Sequence, residues 1–151
     1  MSTRGPILLV EDNEDDVFFM QRCIKAAGIT NPVHVEGDGQ SAIDYLEGSG
    51  RYADRQAHPL PFLVFLDLKM PRKSGLDVLS WIRSQPHLQG MVVLILTTSR
   101  EETDVQRAYS LGVNSFLVKP PNAALLNELM KLVKAFWLDN PQLALAPPGS
   151  R

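Results

Sequence analysis

The chain has little cysteine: one residue, Cys23, in 151. A single thiol excludes an intramolecular disulfide and a cysteine-built zinc site, and on the first helical stretch Cys23 reads as a packing residue. No apolar run approaches the ~20 residues of a membrane span, and Met1–Pro6 is too short and polar for a secretory signal. Positive charge is not in excess either, since 15 Lys and Arg face 17 Asp and Glu for a net charge of −2. That balance argues against nucleic acid as a partner, which favours a domain pI above about 9. The three histidines, His34, His58 and His87, are scattered without metal-ligand spacing. These absences point to a cytoplasmic domain that meets neither membrane nor nucleic acid. At this length a single domain buries about two-thirds of its unfolded surface, enough for a core without staples.

What is present is a pattern of short apolar runs. Ile7–Val10, Phe62–Leu66, Met91–Leu96 and Phe116–Val118 are continuous and rich in branched or aromatic residues. Such runs suit strands buried on both faces, hence a parallel sheet covered by helices. A fifth, Val33–Glu36, alternates apolar and polar residues as an edge strand does. Helical spacing lies between them: Val17, Met20, Ile24 and Ala27 before Gly28, then Ser41–Leu46, then Leu76, Leu79 and Ile82 before Pro86. Glu101–Leu111 is a more polar helix closed by Gly112. The last, Ala123–Leu138, carries two stripes, Leu125/Leu129/Leu132/Phe136 and Leu126/Met130/Val133/Trp137, more than one sheet contact requires. The order is (βα)₅, an α/β fold with an open, doubly wound parallel sheet of five strands and right-handed crossovers. Glu47–Pro61 has no clear period and reads as a long loop, and there is no internal repeat. Gly37-Asp38-Gly39 lacks the third glycine of a dinucleotide fingerprint and reads as a turn feeding a helix.

In open α/β sheets, ligands bind beyond the carboxyl ends of the strands. The first run is followed by Glu11 and Asp12, the third by Asp67, the fourth by Thr97 and the fifth by Lys119. Three carboxylates, a hydroxyl and an ammonium therefore meet on one rim. Carboxylates so close repel one another and call for a divalent cation, and oxygen-only ligands select Mg²⁺ or Mn²⁺. One carboxylate is left as a nucleophile, while the hydroxyl and the ammonium hold phosphoryl oxygens. Each residue alone is more simply a cap, a turn residue or a solvated lysine. The joint pattern at four strand ends is what carries weight.

Ile7-Leu-Leu-Val-Glu-Asp-Asn13, Phe65-Leu-Asp67-Leu-Lys-Met-Pro71 with Gly75, Leu96-Thr-Thr-Ser99 and Val118-Lys119-Pro120 resemble the receiver domain of two-component response regulators. The resemblance spans Ile7 to Leu138, with 30 residues from Asp67 to Thr97 and 22 more to Lys119. It implies a flavodoxin-like sheet in strand order 2-1-3-4-5. Asp67 would be the phosphoacceptor, taking its phosphoryl group from a sensor histidine kinase. Glu11, Asp12, Asp67 and the backbone carbonyl of Lys69 would bind Mg²⁺, and Thr97 and Lys119 would contact the phosphoryl oxygens. Thr97 and Phe116 would form the conformational switch, with Phe where other members carry Tyr. The Lys119–Pro120 bond would be cis. Lys69 and Ser99 occupy positions where members tune the lifetime of the acyl phosphate.

The loop 47–61 and the ending Ala135-Phe-Trp-Leu138 are similar to stand-alone regulators serving bacterial and cyanobacterial phytochromes, so a bacteriophytochrome is the kinase implied. The resemblance also implies a homodimer through the fourth helix, fifth strand and fifth helix. The receiver is expected over residues 1–138, with a flexible tail at 139–151 too short for an output domain. Output would then be a change of binding surface rather than an enzymatic activity. The alternative is a Mg²⁺-dependent phosphohydrolase of the haloacid-dehalogenase type, which needs a second Asp at the position of Lys69. A receiver that only binds proteins is disfavoured by the intact acidic group, threonine and lysine.

Overall fold

Five parallel strands, β1 (Ile7–Val10), β2 (Val33–Glu36), β3 (Leu63–Leu66), β4 (Val92–Thr97) and β5 (Ser115–Val118), pair in the order β2-β1-β3-β4-β5. The computed structural model describes residues 5–139, so the expected tail lies, apart from Asp139, outside the described residues. Five helices alternate with the strands: α1 (Glu14–Ala26), α2 (Gly39–Glu47), α3 (Gly75–Ser84), α4 (Glu102–Ser110) and α5 (Ala123–Val133). No helix among the described residues is long and apolar enough to cross a membrane.

Strand side chains alternate between faces, which divides the core in two. Leu8, Val10, Val64, Leu66, Val93 and Ile95 point to one face, covered by α2, α3 and α4. Ile7, Leu9, Leu63, Phe65, Leu94 and Leu96 point to the other, covered by α1 and α5. Four helices open on a side chain that satisfies an otherwise unpaired N–H of the first turn. Asn13 accepts from Asp16 N at 2.9 Å, Asp38 from Ser41 N at 2.8 Å, Ser74 from Asp77 N at 3.2 Å and Asn122 from Leu125 N at 2.9 Å. Helix α4 has no such cap and buries only Ala108.

The C-terminal helix resolves its two stripes. Leu126, Met130, Val133 and Trp137 pack on the sheet, while Leu125, Leu132 and Phe136 are exposed, Leu132 at 67%. Its last turn, Lys134–Leu138, is a π-helix that turns Leu138 back into the core.

Residues 47–61, expected as a plain loop, are pinned at several points. Arg55 donates to the carbonyls of Tyr45 and Leu46, both at 2.7 Å, and to that of His58 at 3.1 Å. The first two belong to the last turn of α2, where Leu46 O has no partner within the helix and Tyr45 O also accepts from Gly48 N at 3.2 Å. Gly48, at φ 79°, ends α2 in the left-handed conformation that glycine tolerates. Tyr52, in a 3₁₀ turn (Gly50–Tyr52), is buried and donates to Glu36 Oε2 at 2.8 Å. Edge strand β2 thus turns its polar residues toward the loop: Glu36 is 8% exposed and Val35 36%.

Burial pushes the Glu36 carboxyl above the ordinary glutamate value, against the opposing pull of the Tyr52 hydroxyl and Arg51. A raised value in the folded state means that folding favours the protonated acid. The contribution is present below the unfolded value of 4.5 and is lost as pH rises through the folded value. Glu36→Gln keeps an acceptor for Tyr52 without the charge. Its urea midpoint should gain on that of the wild type as pH rises above 4.5 and lose the advantage below it. A wild type that gains on the variant with rising pH would contradict this account.

Candidate functional site

Parallel strands deliver their carboxyl ends to one edge, and there Glu11, Asp12, Asp67 and Lys119 lie close together. The ladder runs on past the strands: Glu11 N donates to Glu36 O at 3.0 Å, Asp67 N to Val10 O at 3.1 Å and Lys119 N to Thr97 O at 2.7 Å. Glu11, Asp12 and Asp67 each offer a carboxylate oxygen, all within 4.8 Å of one another. Glu11 is buried, Asp67 half-buried and Asp12 exposed.

Lys119 joins this group from β5. Its Nζ donates to Glu11 Oε1 at 2.7 Å and to Asp16 Oδ2 at 3.0 Å, and lies 3.8 Å from Asp67 Oδ2. Burial alone would lower the lysine, but its bonds to Glu11 and Asp16 outweigh that and hold it above the ordinary value. Burial raises Glu11, and the Lys119 hydrogen bond only partly opposes it. Asp67 Oδ1 accepts from Leu68 N at 2.8 Å, which fixes the carboxylate plane and leaves Oδ2 facing the lysine.

Thr97 is 2% exposed, and its Oγ1 accepts from Ser99 N at 3.3 Å. Ser99 in turn donates to Asp104 Oδ2 at 2.7 Å, joining the β4–α4 connection to the first turn of α4. Phe116 is half-buried against the core on the α2–α4 side, and its N–H donates to the Tyr109 hydroxyl at 3.1 Å. Lys69 has an exposed side chain.

One expectation is corrected. No peptide bond among the described residues is cis, so Lys119–Pro120 is trans. Trans is the lower form of an X–Pro bond by about 0.5–1 kcal/mol, and the four-carbon lysine stem reaches the carboxylates from it. Sequence reasoning also missed Asp16. It stands in the first turn of α1, shortly after the acidic pair that follows the first strand, and that closeness in sequence was its only signal. The Arg72 tie was missed as well: at φ 69° it donates to Asp38 at 2.9 Å and to Ser41 at 2.9 Å, pinning the loop after Asp67 to the start of α2.

The carboxylate set fits a hard divalent cation, because its donors are all oxygen and come from three short side chains converging on one point. The response regulator receiver domain profile matches residues 7–131. The chain is 39% identical over 135 residues to the probable methanogenesis regulatory protein FilR2 of Methanothrix harundinacea, covering 87% of this chain and 83% of that one. It is 36% identical over 140 residues to response regulator Rcp1 of Synechocystis, covering 93% of each. The solved Mn²⁺-bound form of Rcp1 superposes with a TM-score of 0.80 at 36% identity, over 90% of this chain and 95% of that one. The phosphorylated cyanobacterial phytochrome response regulator RcpA superposes with a TM-score of 0.83 at 35% identity, over 91% and 95%.

The chain belongs to the response regulator receiver domain family. Its strand order is the one the resemblance implied. Nothing favours the hydrolase alternative, and Lys69 stands where that chemistry needs its acid.

The site also depends on one glycine. A Cβ on Gly75 would lie 2.1 Å from the carbonyl oxygen of Asp67, and Gly75 N donates to Leu68 O at 2.8 Å. Helix α3 therefore starts against the backbone of the carboxylate it supports. Gly75→Ala should destabilise the fold by about 1–3 kcal/mol, as overpacking does, and displace Asp67. Urea denaturation and backbone amide shifts of Asp67 and Leu68 would check this, and an unshifted, fully stable variant would refute it.

Proposed function

We propose that the protein is a phosphorylatable switch in which Asp67 accepts a phosphoryl group from a sensor histidine kinase. The observation that carries this reading is the placement of Asp67 Oδ2, 3.8 Å from the Lys119 ammonium and beside two further carboxylates. An Asp67 oxygen attacks the phosphorus of the phosphohistidine. The new O–P bond forms as the P–N bond breaks, and the imidazole nitrogen leaves with the electron pair. Glu11, Asp12, Asp67 and the Lys69 carbonyl would hold Mg²⁺ or Mn²⁺, which supplies charge neutralisation to the carboxylates and the phosphoryl oxygens. Lys119 donates to a phosphoryl oxygen. Thr97, an acceptor toward Ser99, keeps its hydroxyl proton for another. As Thr97 moves, Phe116 turns inward and the surface around β5 changes.

The receiver accounts for residues 1–138 and acts through that surface, a reading supported by two-way coverage of 93% with Rcp1. A phytochrome is the proposed kinase, supported by the likeness to RcpA, itself a phytochrome response regulator. The outer stripe of α5, with Leu125, Leu132 and Phe136 exposed, supports a homodimer through α4, β5 and α5.

Incubation with acetyl phosphate and Mg²⁺ should add one phosphoryl group by mass spectrometry. The addition should be absent from Asp67→Asn and absent without the metal. Modification that persists in Asp67→Asn would overturn the assignment, and robust turnover of generic phosphate esters would favour a hydrolase.

For the dimer, sedimentation equilibrium should give a two-chain species that Phe136→Asp weakens by tenfold or more, about 1.4 kcal/mol. A strict monomer at high concentration, phosphorylated and unphosphorylated, would remove this part of the proposal.

A further inference from the structure

Lys119 has three N–H donors and, in this state, spends two of them away from the proposed acceptor. One goes to Glu11 at 2.7 Å and one to Asp16 at 3.0 Å, while Asp67 at 3.8 Å is beyond hydrogen-bond reach. The two partners differ in kind. Glu11 belongs to the carboxylate group suited to a cation, and Asp16 does not. Asp16 stands in the first turn of α1, its own N–H held by Asn13 Oδ1 at 2.9 Å. Its backbone is therefore anchored beside the rim, and its carboxylate reaches Lys119 from there. It is 43% exposed, against 15% for Lys119, so its pairing with the lysine costs little desolvation.

We propose that Asp16 is a positioning residue: it holds Lys119 in the unphosphorylated protein and competes with the phosphoryl group on Asp67 for the same ammonium. The inference rests on the receiver reading above and adds a residue to it. A phosphoryl group on Asp67 carries three acceptor oxygens toward Lys119, and the ammonium, 3.8 Å from Asp67 in the resting protein, moves toward them and away from Asp16. The Asp16 pair therefore stabilises the resting state and is lost on activation. It also ties α1 to the β5–α5 connection, so the exchange of partners changes how two elements on one face of the sheet are joined.

The test uses beryllofluoride with Mg²⁺, a non-covalent mimic of the aspartyl phosphate, on the whole chain. Asp16→Asn keeps the shape and removes the charge. Asp15→Asn removes the same charge from the neighbouring exposed position, where no bond to Lys119 occurs. Asp16→Asn should bind beryllofluoride about three- to fivefold more tightly than wild type, the upper part of the range expected for losing a competing half-exposed ion pair. Asp15→Asn should stay within about twofold. In the absence of beryllofluoride the Lys119 Nζ resonance should shift in Asp16→Asn and not in Asp15→Asn. Asp16→Ala should repeat the result if the asparagine variant folds poorly.

Unchanged or weaker binding in the Asp16 variants, an equal gain in Asp15→Asn, or an unmoved Lys119 resonance would each overturn the proposal. A wild type that binds no beryllofluoride fails the receiver reading itself, and the proposal falls with it.

Discussion

Three carboxylates gathered at one rim repel one another, and the ammonium of Lys119 is the positive charge that the protein itself sets among them. It reaches from the end of β5 past β4 and β3 to a carboxylate at the end of β1. That reach fixes the relative placement of both halves of the sheet. It also explains why Glu11 can be buried at all, since a buried carboxylate without a partner would take up a proton instead. The ion pair is incomplete by design of its geometry. Lys119 brings one positive charge to three carboxylates, so the cluster keeps room for a second cation, and the lysine keeps a choice of partners. Both properties are what a site for reversible phosphorylation needs.

Much of this was readable from the chain because a parallel sheet has polarity. Every buried run must point the same way, so the residue following each run falls on the same edge. Reading Glu11, Asp12, Asp67, Thr97 and Lys119 as neighbours required only the five runs. The details that escaped depend on partners far apart in sequence. Glu36 is buried because Tyr52 comes back to meet it, 16 residues on. Arg55 looked like one charge in an aperiodic loop, and nothing local says that it closes the end of α2. Asp16 looked like one of three acidic residues in the first turn of a helix, the ordinary preference at that position. Only the fold shows that it alone of the three reaches Lys119.

The loop 47–61 bears on a different weakness of such sheets. An edge strand offers unpaired backbone groups to other chains and is usually blunted by charge or cover. Here β2 carries a buried carboxylate beneath Tyr52, and the aromatic rings of Tyr45, Tyr52 and His58 pack together with centroids 5.2–5.9 Å apart. The extra residues cover the β2 side of the molecule and are tied to the end of α2 through Arg55.

The opposite side is built more loosely, and that asymmetry has mechanical consequences. Helix α4 lacks a side-chain cap, buries one residue and is tied to the site through Ser99. Ser99 holds Thr97 by its N–H and Asp104 by its hydroxyl, so Thr97 is joined to the first turn of the least anchored helix. Tyr109 at the other end of α4 bonds the N–H of Phe116, so the same helix also touches the aromatic residue of β5. The molecule is thus heavily tied around β2 and sparsely fastened around α4. The sparsely fastened side is also where Tyr109 meets β5, the strand that β4 joins to the rest of the sheet.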